Sequence, residues 1–466
     1  MHRFSIFLIS LFCFTQLRGQ LIEPHGPVPT RNQVAWHQLE YYLFIHFGPN
    51  TFTNLEWGHG AEDPNVFNPT AMDCRQWARI ARESGAKGII ITAKHHDGFN
   101  LYPSKQSRHT VKQSRWRDGK GDVLKDLSEA CRAEGLKFGV YISPWDRNHP
   151  LYGTPKYNKV FVKTIKEVTR NYGELFELWW DGANGEGPNG RKQEYDFRRF
   201  EKAARRYAPN TLIFSDIGPD IRWVGNERGI TGETNWSLLD TAGFKRGLGA
   251  PPTDTLNQGN MYGAHYIPAE ADVSIRPGWF YHQEQDSLVK SPEELMDIYL
   301  KSVGRGSTLL LNVPPDRRGL FHENDSAALM QFKALRDSFF HRNLAQGAEV
   351  SVSSSRPGFL PAVLIDGSRA SHWAPAGDGE NSQIELKLPE PQQIKAVQLQ
   401  EYIELGQRVS GFTIEADTGN GYTLIGKGTT IGYKRIIPVA QITTSSIRIT
   451  ITGSKALPVL SEISLF

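Results

Sequence analysis

Between residues 38 and 340, short apolar runs alternate with amphipathic helical patterns, and nearly every run ends in polar residues. Tyr42-Leu43-Phe44-Ile45 ends at His46, Gly88-Ile89-Ile90-Ile91 leads to Lys94-His95-His96-Asp97-Gly98, and Phe138-Gly139-Val140-Tyr141-Ile142 leads to Ser143-Pro144-Trp145-Asp146. Residues 176–180 lead to Asp181, 211–214 to Ser215-Asp216, and 308–311 to Asn312. Strands that are apolar throughout are buried on both faces, which calls for a parallel sheet covered by helices. Helices are expected at 70–83 and 122–134. Leu124, Leu127 and Cys131 share a face that stops at Gly135, and Phe161, Ile165, Val168 and Tyr172 share one that stops at Gly173. Ser291-Pro292-Glu293-Glu294 is a capping box with proline at the first helical position. The length suits a (β/α)8 barrel, whose active site forms at the C-terminal strand ends, where the polar clusters fall. Strands five to seven are weakly marked in 215–285, so a doubly wound open sheet is the alternative.

From Gly347 the pattern changes to period two, as in Glu349-Val350-Ser351-Val352-Ser353 and Ile447-Arg448-Ile449-Thr450-Ile451. Turn-rich spacers and no helical pattern predict an all-β sandwich of about 120 residues. No low-complexity linker precedes it, so the two units are expected to pack together. Arg3, the apolar residues 4–14 and the polar end with Gly19 read as an export signal, too short to span a bilayer. Phe12 before Cys13 argues against a lipoprotein cleavage site. The expected division is a signal peptide at 1–20, the barrel at 21–345 and the sandwich at 346–466, in a secreted, periplasmic or lumenal protein. Cys74 and Cys131 each fall in an expected helix and read as buried free thiols rather than a bridge, which export would permit.

Lys+Arg 53 against Asp+Glu 50 leaves almost no net charge, which disfavours nucleic acid and anionic membranes as partners. The 11 Trp, 16 Tyr and 24 Phe suit both a well-packed core and a protein that handles uncharged polyols. Asp181 ends the run Phe176-Glu177-Leu178-Trp179-Trp180, and Glu227 stands within Arg222-Trp223-Val224-Gly225-Asn226-Glu227-Arg228-Gly229. Two carboxylates beside indole rings are what glycosidic cleavage needs: one attacks or stabilises the sugar carbon, the other protonates the leaving oxygen. Aromatic neighbours are expected to favour the protonated form of the second.

His95-His96-Asp97, with His46, has metal-ligand residue types. Adjacent histidines at a strand end point in different directions, so hydrogen bonding to sugar hydroxyls is the better reading and no metal is expected. Glu56-Trp57 and Trp279 pair acids and indoles in the manner of sugar contacts. No Gly-x-Ser-x-Gly elbow supports serine chemistry, and 182–187 matches no complete dinucleotide fingerprint.

Ile45-His46-Phe47-Gly48, Glu56-Trp57, Lys94-His95-His96-Asp97-Gly98-Phe99, Trp180-Asp181-Gly182 and Arg222-Trp223-Val224-Gly225-Asn226-Glu227 together resemble the α-L-fucosidases of glycoside hydrolase family 29. The resemblance implies that Asp181 is the nucleophile of a retaining double displacement. The Arg-Trp-x-Gly-Asn-Glu form resembles the subgroup favouring α-1,3 and α-1,4 linked fucose in Lewis-type structures, with Glu227 as acid/base and Glu233 and Glu186 as competitors for that role. It further implies fucose contacts from His46, Glu56, Trp57, His95, His96 and Trp279, and less directly from Tyr141 or Trp145. No cofactor is required, and the partner is a fucosylated oligosaccharide or glycoprotein glycan. A catalytically silent fucose-binding protein and a retaining barrel glycosidase for galactose are the alternatives.

The C-terminal region resembles a discoidin-like domain through Leu364-Ile365-Asp366-Gly367, His372-Trp373, Ile447-Arg448-Ile449 and the closing residues 462–466. Trp373 reads as core. The domain's role is open between buttressing the barrel and binding sugar, with room for a structural calcium ion.

Overall fold

The computed structural model describes residues 21–247, 249–379 and 381–466. The expected export signal at 1–20 lies outside the described residues. In chain order the first strands are β1 (Tyr41–Ile45), β2 (Gly88–Lys94), β3 (Lys137–Ile142), β4 (Glu177–Trp179), β5 (Leu212–Ser215) and β6 (Ile221–Trp223). A small hairpin of β7 (Leu238–Leu239) and β8 (His265–Tyr266) follows, then β9 (Ala269–Ser274) and β10 (Thr308–Asn312). Eight of these strands close into a barrel in the order β1-β10-β9-β6-β5-β4-β3-β2, every pairing parallel. The closed barrel displaces the open-sheet alternative.

Helices at Cys74–Glu83, Val123–Ala133, Tyr157–Asn171 and Phe197–Tyr207 cover the first half of the barrel. Asp73 and Asp122 cap the first two by accepting from Arg75 and Lys125 backbone N–H groups, which sets the first start four residues and the second one residue later than the apolar pattern alone suggests. The Ser291–Glu294 capping box forms in both directions at the head of Pro292–Ser302.

Two features break the regular alternation. Residues 216–220 join β5 to β6 without a helix, although a parallel pair ordinarily needs a crossover of a dozen residues or more. Asp220 makes the short link workable: its carboxylate accepts from the Ile213 N–H at 2.7 Å and takes both 2.6 Å bonds from Arg205. β9 is the second. Its sequence alternates small or apolar residues with Glu270, Asp272 and Ser274, yet all six residues are buried, because the polar ones enter the barrel interior. That composition hid the strand from a search for apolar runs.

Inside the barrel, Glu177 accepts from Trp36 Nε1 at 3.0 Å, Glu270 accepts from Trp179 Nε1 at 2.8 Å, and the Tyr42 hydroxyl reaches both acids. Burial, and for Glu177 also the charge of Glu270, pushes both carboxyls above their ordinary range, so the pair retains a proton at neutral pH.

The C-terminal strands β11 (Glu349–Val352), β12 (Gln383–Glu401), β13 (Val409–Asp417), β14 (Tyr422–Gly428), β15 (Arg435–Ser454) and β16 (Leu460–Leu465) pair antiparallel in the order β11-β12-β15-β13-β14, with β16 beside β12. Register shifts between Lys387 and Gln392 and between Ile394 and Ala396 interrupt the long β12–β15 ladder. Trp373 is fully buried in this domain's core, as read from the sequence. The two domains pack together: Ile436 and Ala396 join the barrel's apolar cluster, and Glu40 binds Lys434 at 2.6 Å and Arg369 at 3.1 Å. Cys74 and Cys131 are both buried free thiols. Among the described residues no helix is long and apolar enough to cross a membrane.

Candidate active site

His46 follows the last residue of β1 and occupies the centre of an aromatic cluster. Its ring lies 4.5 Å from Phe44, 5.0 Å from Trp279, 5.4 Å from Phe280 and 5.7 Å from His95. Asn312, the last residue of β10, donates from Nδ2 to Ser274 Oγ at 2.9 Å and to Trp279 O at 2.8 Å. That fixes its amide so that Oδ1 faces His46 Nδ1 at 2.8 Å. Nδ1 therefore carries the proton and Nε2 is left as an acceptor. Burial pulls the His46 pKa down to about 3, so the ring is neutral at working pH.

His95 and His96 come off the end of β2 with ring centroids 4.1 Å apart. Ser143 Oγ donates to Trp145 O at 2.9 Å and so accepts from His96 Nδ1 at 2.7 Å. The remaining His96 nitrogen, Nε2, then presents a lone pair 3.7 Å from Asp181 Oδ2. Burial outweighs the attraction of Asp181 and lowers the His96 pKa to about 4. His95 Nδ1 is buried without a protein partner, and its ring stacks 5.9 Å from Tyr141. Asp97 turns back to accept from the Phe99 N–H at 2.7 Å. Among the described residues no group of three or more His, Cys, Asp or Glu side chains is placed to hold a metal ion.

Asp181 lies two residues past the end of β4. Its Oδ2 accepts from Tyr141 at 2.9 Å and its Oδ1 from the Ala183 N–H at 2.7 Å, which fixes the plane of the carboxylate. Glu227 sits on the turn after β6 and is exposed; its Oε2 accepts from Trp279 Nε1 at 3.2 Å. The turn is built for this position. Asn226 Oδ1 accepts from Arg228 N at 3.1 Å and its Nδ2 donates to Ile230 O at 2.8 Å, closing a ring of backbone around the acid. Gly225 at φ +84° and Gly229 at φ +70° adopt a left-handed backbone, and a Cβ at Gly225 would stand 2.6 Å from Thr253 O.

Trp57 is more than half exposed and meets Trp145 and His96 edge-on at 5.6 and 5.7 Å. Trp145 is buried and donates to Glu186 O at 3.0 Å. Glu56 uses both oxygens to hold the turn that presents Trp279. It accepts from the Trp279 N–H at 2.8 Å, the Phe280 N–H at 3.2 Å and His282 Nε2 at 2.6 Å. The residues singled out in the sequence thus converge on one mouth of the barrel. The carboxylates of the competitors do not hydrogen-bond to it: the Glu233 side chain is 82% exposed and pairs with Arg305, and Glu186, which meets Trp145 only through its backbone carbonyl, is exposed on a small hairpin bridged to Lys192.

Two acids at this mouth carried no assigned role in the sequence reading. Asp216, after β5, packs its carboxyl against Gly182, has a buried Oδ1 with no partner, and is pushed up to about 6, mainly by burial. Asp272 on β9 accepts from Trp223 Nε1 at 2.9 Å, and burial followed by the charge of Glu227 pushes it well above the carboxylate range. Asp216 ends an apolar run and was visible as a strand-end acid, whereas Asp272 is internal to a strand with no apolar signature. A groove of about 790 Å³, lined by Asn158, Tyr195, Phe197, Glu201, Ile217 and Arg246 among others, includes none of the expected site residues.

Comparison with known proteins agrees with this geometry. The alpha-L-fucosidase family profile matches residues 31–334 and the F5/8 type C domain profile matches residues 349–463. Alpha-L-fucosidase 1 of Arabidopsis thaliana is 38% identical over 99% of this chain and 92% of its own length. The solved structure of SpGH29 superposes with a TM-score of 0.91 at 42% identity, covering 96% of this chain and 99% of that one. The GH29 fucosidase E1_10125 of Ruminococcus gnavus, solved in complex with fucose, superposes with a TM-score of 0.88 at 32% identity over 97% of both chains. The chain belongs to the α-L-fucosidases of glycoside hydrolase family 29, with a discoidin-like F5/8 type C domain following its barrel.

Proposed function

We propose that this glycoside hydrolase is a retaining exo-α-L-fucosidase that removes α-1,3 and α-1,4 linked fucose from Lewis-type glycans, with Asp181 as nucleophile and Glu227 as acid/base. One observation carries the reading: both acids are tied to the same His46-centred pocket, Asp181 through Tyr141 and Glu227 through Trp279. In the first step Asp181 attacks the anomeric carbon, the bond to the aglycone oxygen breaks, and Glu227 gives that oxygen its proton. In the second step water attacks the same carbon, Glu227 takes the water's proton, and the ester to Asp181 breaks to release fucose with retained configuration.

The pocket supplies what fucose requires. The Nε2 lone pairs of neutral His46 and His96 accept from sugar hydroxyls, and a hydroxyl between His96 and Asp181 donates to one of two acceptors 3.7 Å apart. Trp279, half-buried, and the exposed Trp57 offer flat apolar faces to the ring and its methyl group. The linkage assignment rests on the Arg222-Trp223-Val224-Gly225-Asn226-Glu227 form, and the proposal of export rests on residues 1–20. The test is fucose release by protein lacking residues 1–20 from a Lewis-type trisaccharide, an α-1,2-fucosylated trisaccharide and an aryl fucoside, with the first-formed anomer identified by NMR. Between the two trisaccharides, cleavage confined to the Lewis one, with α-fucose first, is expected. Preference for the α-1,2 sugar overturns the linkage, and β-fucose first overturns retention.

A further inference from the structure

The chain beyond Glu227 runs into the grip of the second domain. Gln407, just before β13, is buried, and its amide is spent on two backbone groups of the barrel domain: Oε1 accepts from the Ser237 N–H at 2.7 Å, and Nε2 donates to Asn235 O at 2.8 Å. Thr430 Oγ1 accepts from the Asn235 N–H at 2.9 Å, and Arg435 donates to Glu233 O at 2.8 Å. The C-terminal domain therefore holds the backbone of residues 233–237, with side-chain contacts from Thr429 to Thr234 at 2.8 Å and from Lys455 over the Trp236 ring, and it fixes Asn235 at both its N–H and its carbonyl.

The Asn235 side chain passes this constraint inward. Its Oδ1 accepts from Arg222 Nη2 at 3.1 Å and its Nδ2 donates to Arg305 O at 2.9 Å. Arg222, on β6, is fully buried and makes no ion pair among the described residues. Its guanidinium is instead satisfied by Asn235 Oδ1 and by the carbonyls of Trp236, Ile267 and Leu256, the last at 2.8 Å. Leu256 belongs to the short helix Thr253–Gln258, whose Asn257 donates to Val224 O at 3.1 Å and Ile230 O at 2.9 Å. Those two carbonyls are the two ends of the turn that carries Glu227. The links are hydrogen bonds of 2.8–3.1 Å, joined covalently within Asn235 and across the Leu256–Asn257 peptide, in a setting buried to partly buried where a lost partner leaves a polar group poorly satisfied.

We propose that Gln407 is a positioning residue for glycosidic cleavage, bracing from the C-terminal domain the turn on which Glu227 stands. The inference rests on Glu227 being the acid/base. A merely structural Gln407 would, on removal, lower activity on every substrate alike. A brace for the proton donor has a different signature, because an activated aryl leaving group needs little protonation and a sugar leaving group needs it fully.

The experiment compares kcat/KM of the full chain, Gln407→Leu, Gln407→Glu, Thr430→Val and Glu227→Gln on a Lewis-type trisaccharide and on a dinitrophenyl fucoside, with thermal melts to confirm folding. Gln407→Leu is expected to lose on the order of 3- to 30-fold on the trisaccharide and less than about 3-fold on the aryl fucoside. Gln407→Glu, which keeps the acceptor for Ser237 and loses the donor to Asn235, and Thr430→Val are expected to fall in the same direction by less. They decide the matter if Gln407→Leu does not fold. Equal losses on both substrates, or none, overturn the brace while Glu227→Gln still discriminates between leaving groups. If Glu227→Gln itself fails to discriminate, the acid assignment falls and the brace with it.

Discussion

The indole nitrogen of Trp279 donates to Glu227 at 3.2 Å while the same ring packs 5.0 Å from His46, so one side chain links the apolar wall of the pocket to the acid at its rim. Trp279→Phe keeps the wall and removes the donor. It should lower kcat on a Lewis-type trisaccharide on the order of tenfold, with KM changed less. A pure KM effect would assign Trp279 to sugar contact alone.

Asp181→Ala should abolish turnover of every fucoside, by on the order of 1000-fold or more. Azide added to the variant should restore part of the activity on an activated aryl fucoside and yield a fucosyl azide of inverted configuration, since the anion enters the face the carboxylate occupied. Retention of most activity without azide would remove Asp181 from the mechanism.

Gly225→Ala forces a side chain into a left-handed turn at φ +84°, against Thr253 O. A melting temperature lower by about 2–4 °C is expected, because the strain is local. Activity on the trisaccharide should fall further than that modest loss of stability explains, since the residue displaced is two before Glu227. An unchanged activity would show that the turn tolerates movement.

The Glu177–Glu270 pair predicts a pH dependence of stability. The folded pair keeps a proton that the unfolded chain gives up above the ordinary carboxylate value of about 4, so this contribution is present at low pH and is lost as pH rises toward the raised value of the folded pair. Glu270→Gln removes one of the two titrating groups and the charge that adds to the burial of Glu177, and its melting temperature should fall less than that of the unaltered chain between about pH 5 and about pH 8. Parallel curves would mean that the pair titrates alike in both states.

Lys94 Nζ is buried and binds Asp146 at 3.1 Å, Trp145 O at 3.1 Å and the Tyr157 hydroxyl at 3.2 Å, and Asp146 in turn accepts from the Asn148 and His149 N–H groups. Lys94→Met leaves Asp146 buried and without its cation, at a cost of about 3–5 kcal/mol by denaturant unfolding. The loop carrying Trp145 should loosen, and aryl fucoside turnover should drop with it. A loss below about 1 kcal/mol would place the pair among weakly contributing ion pairs.

Local order along the chain settled the architecture. Apolar runs ending at His46, His95, Asp181 and Asn312 could be buried on both faces only in a helix-covered parallel sheet, and polar residues at the run ends had to gather at one mouth. The Ser291 capping box was legible for the same reason, because a cap acts within three residues of itself. The period-two pattern after Gly347 likewise carried its own strand signal, and the motifs around Asp181 and Glu227 carried the family. Tertiary structure decided what depends on partners distant in sequence. β9 is a strand because the barrel interior offers Tyr42 and Trp179 to Glu270 and Trp223 to Asp272. β5 meets β6 without a helix because Arg205 and Asp220 close the link. Glu56 became the holder of the Trp279 turn, and Gln407 reached Asn235 across a domain boundary. Periodicity records which face of an element is buried, whereas a carboxylate's protonation and a side chain's grip are set by the groups that folding brings within hydrogen-bond distance.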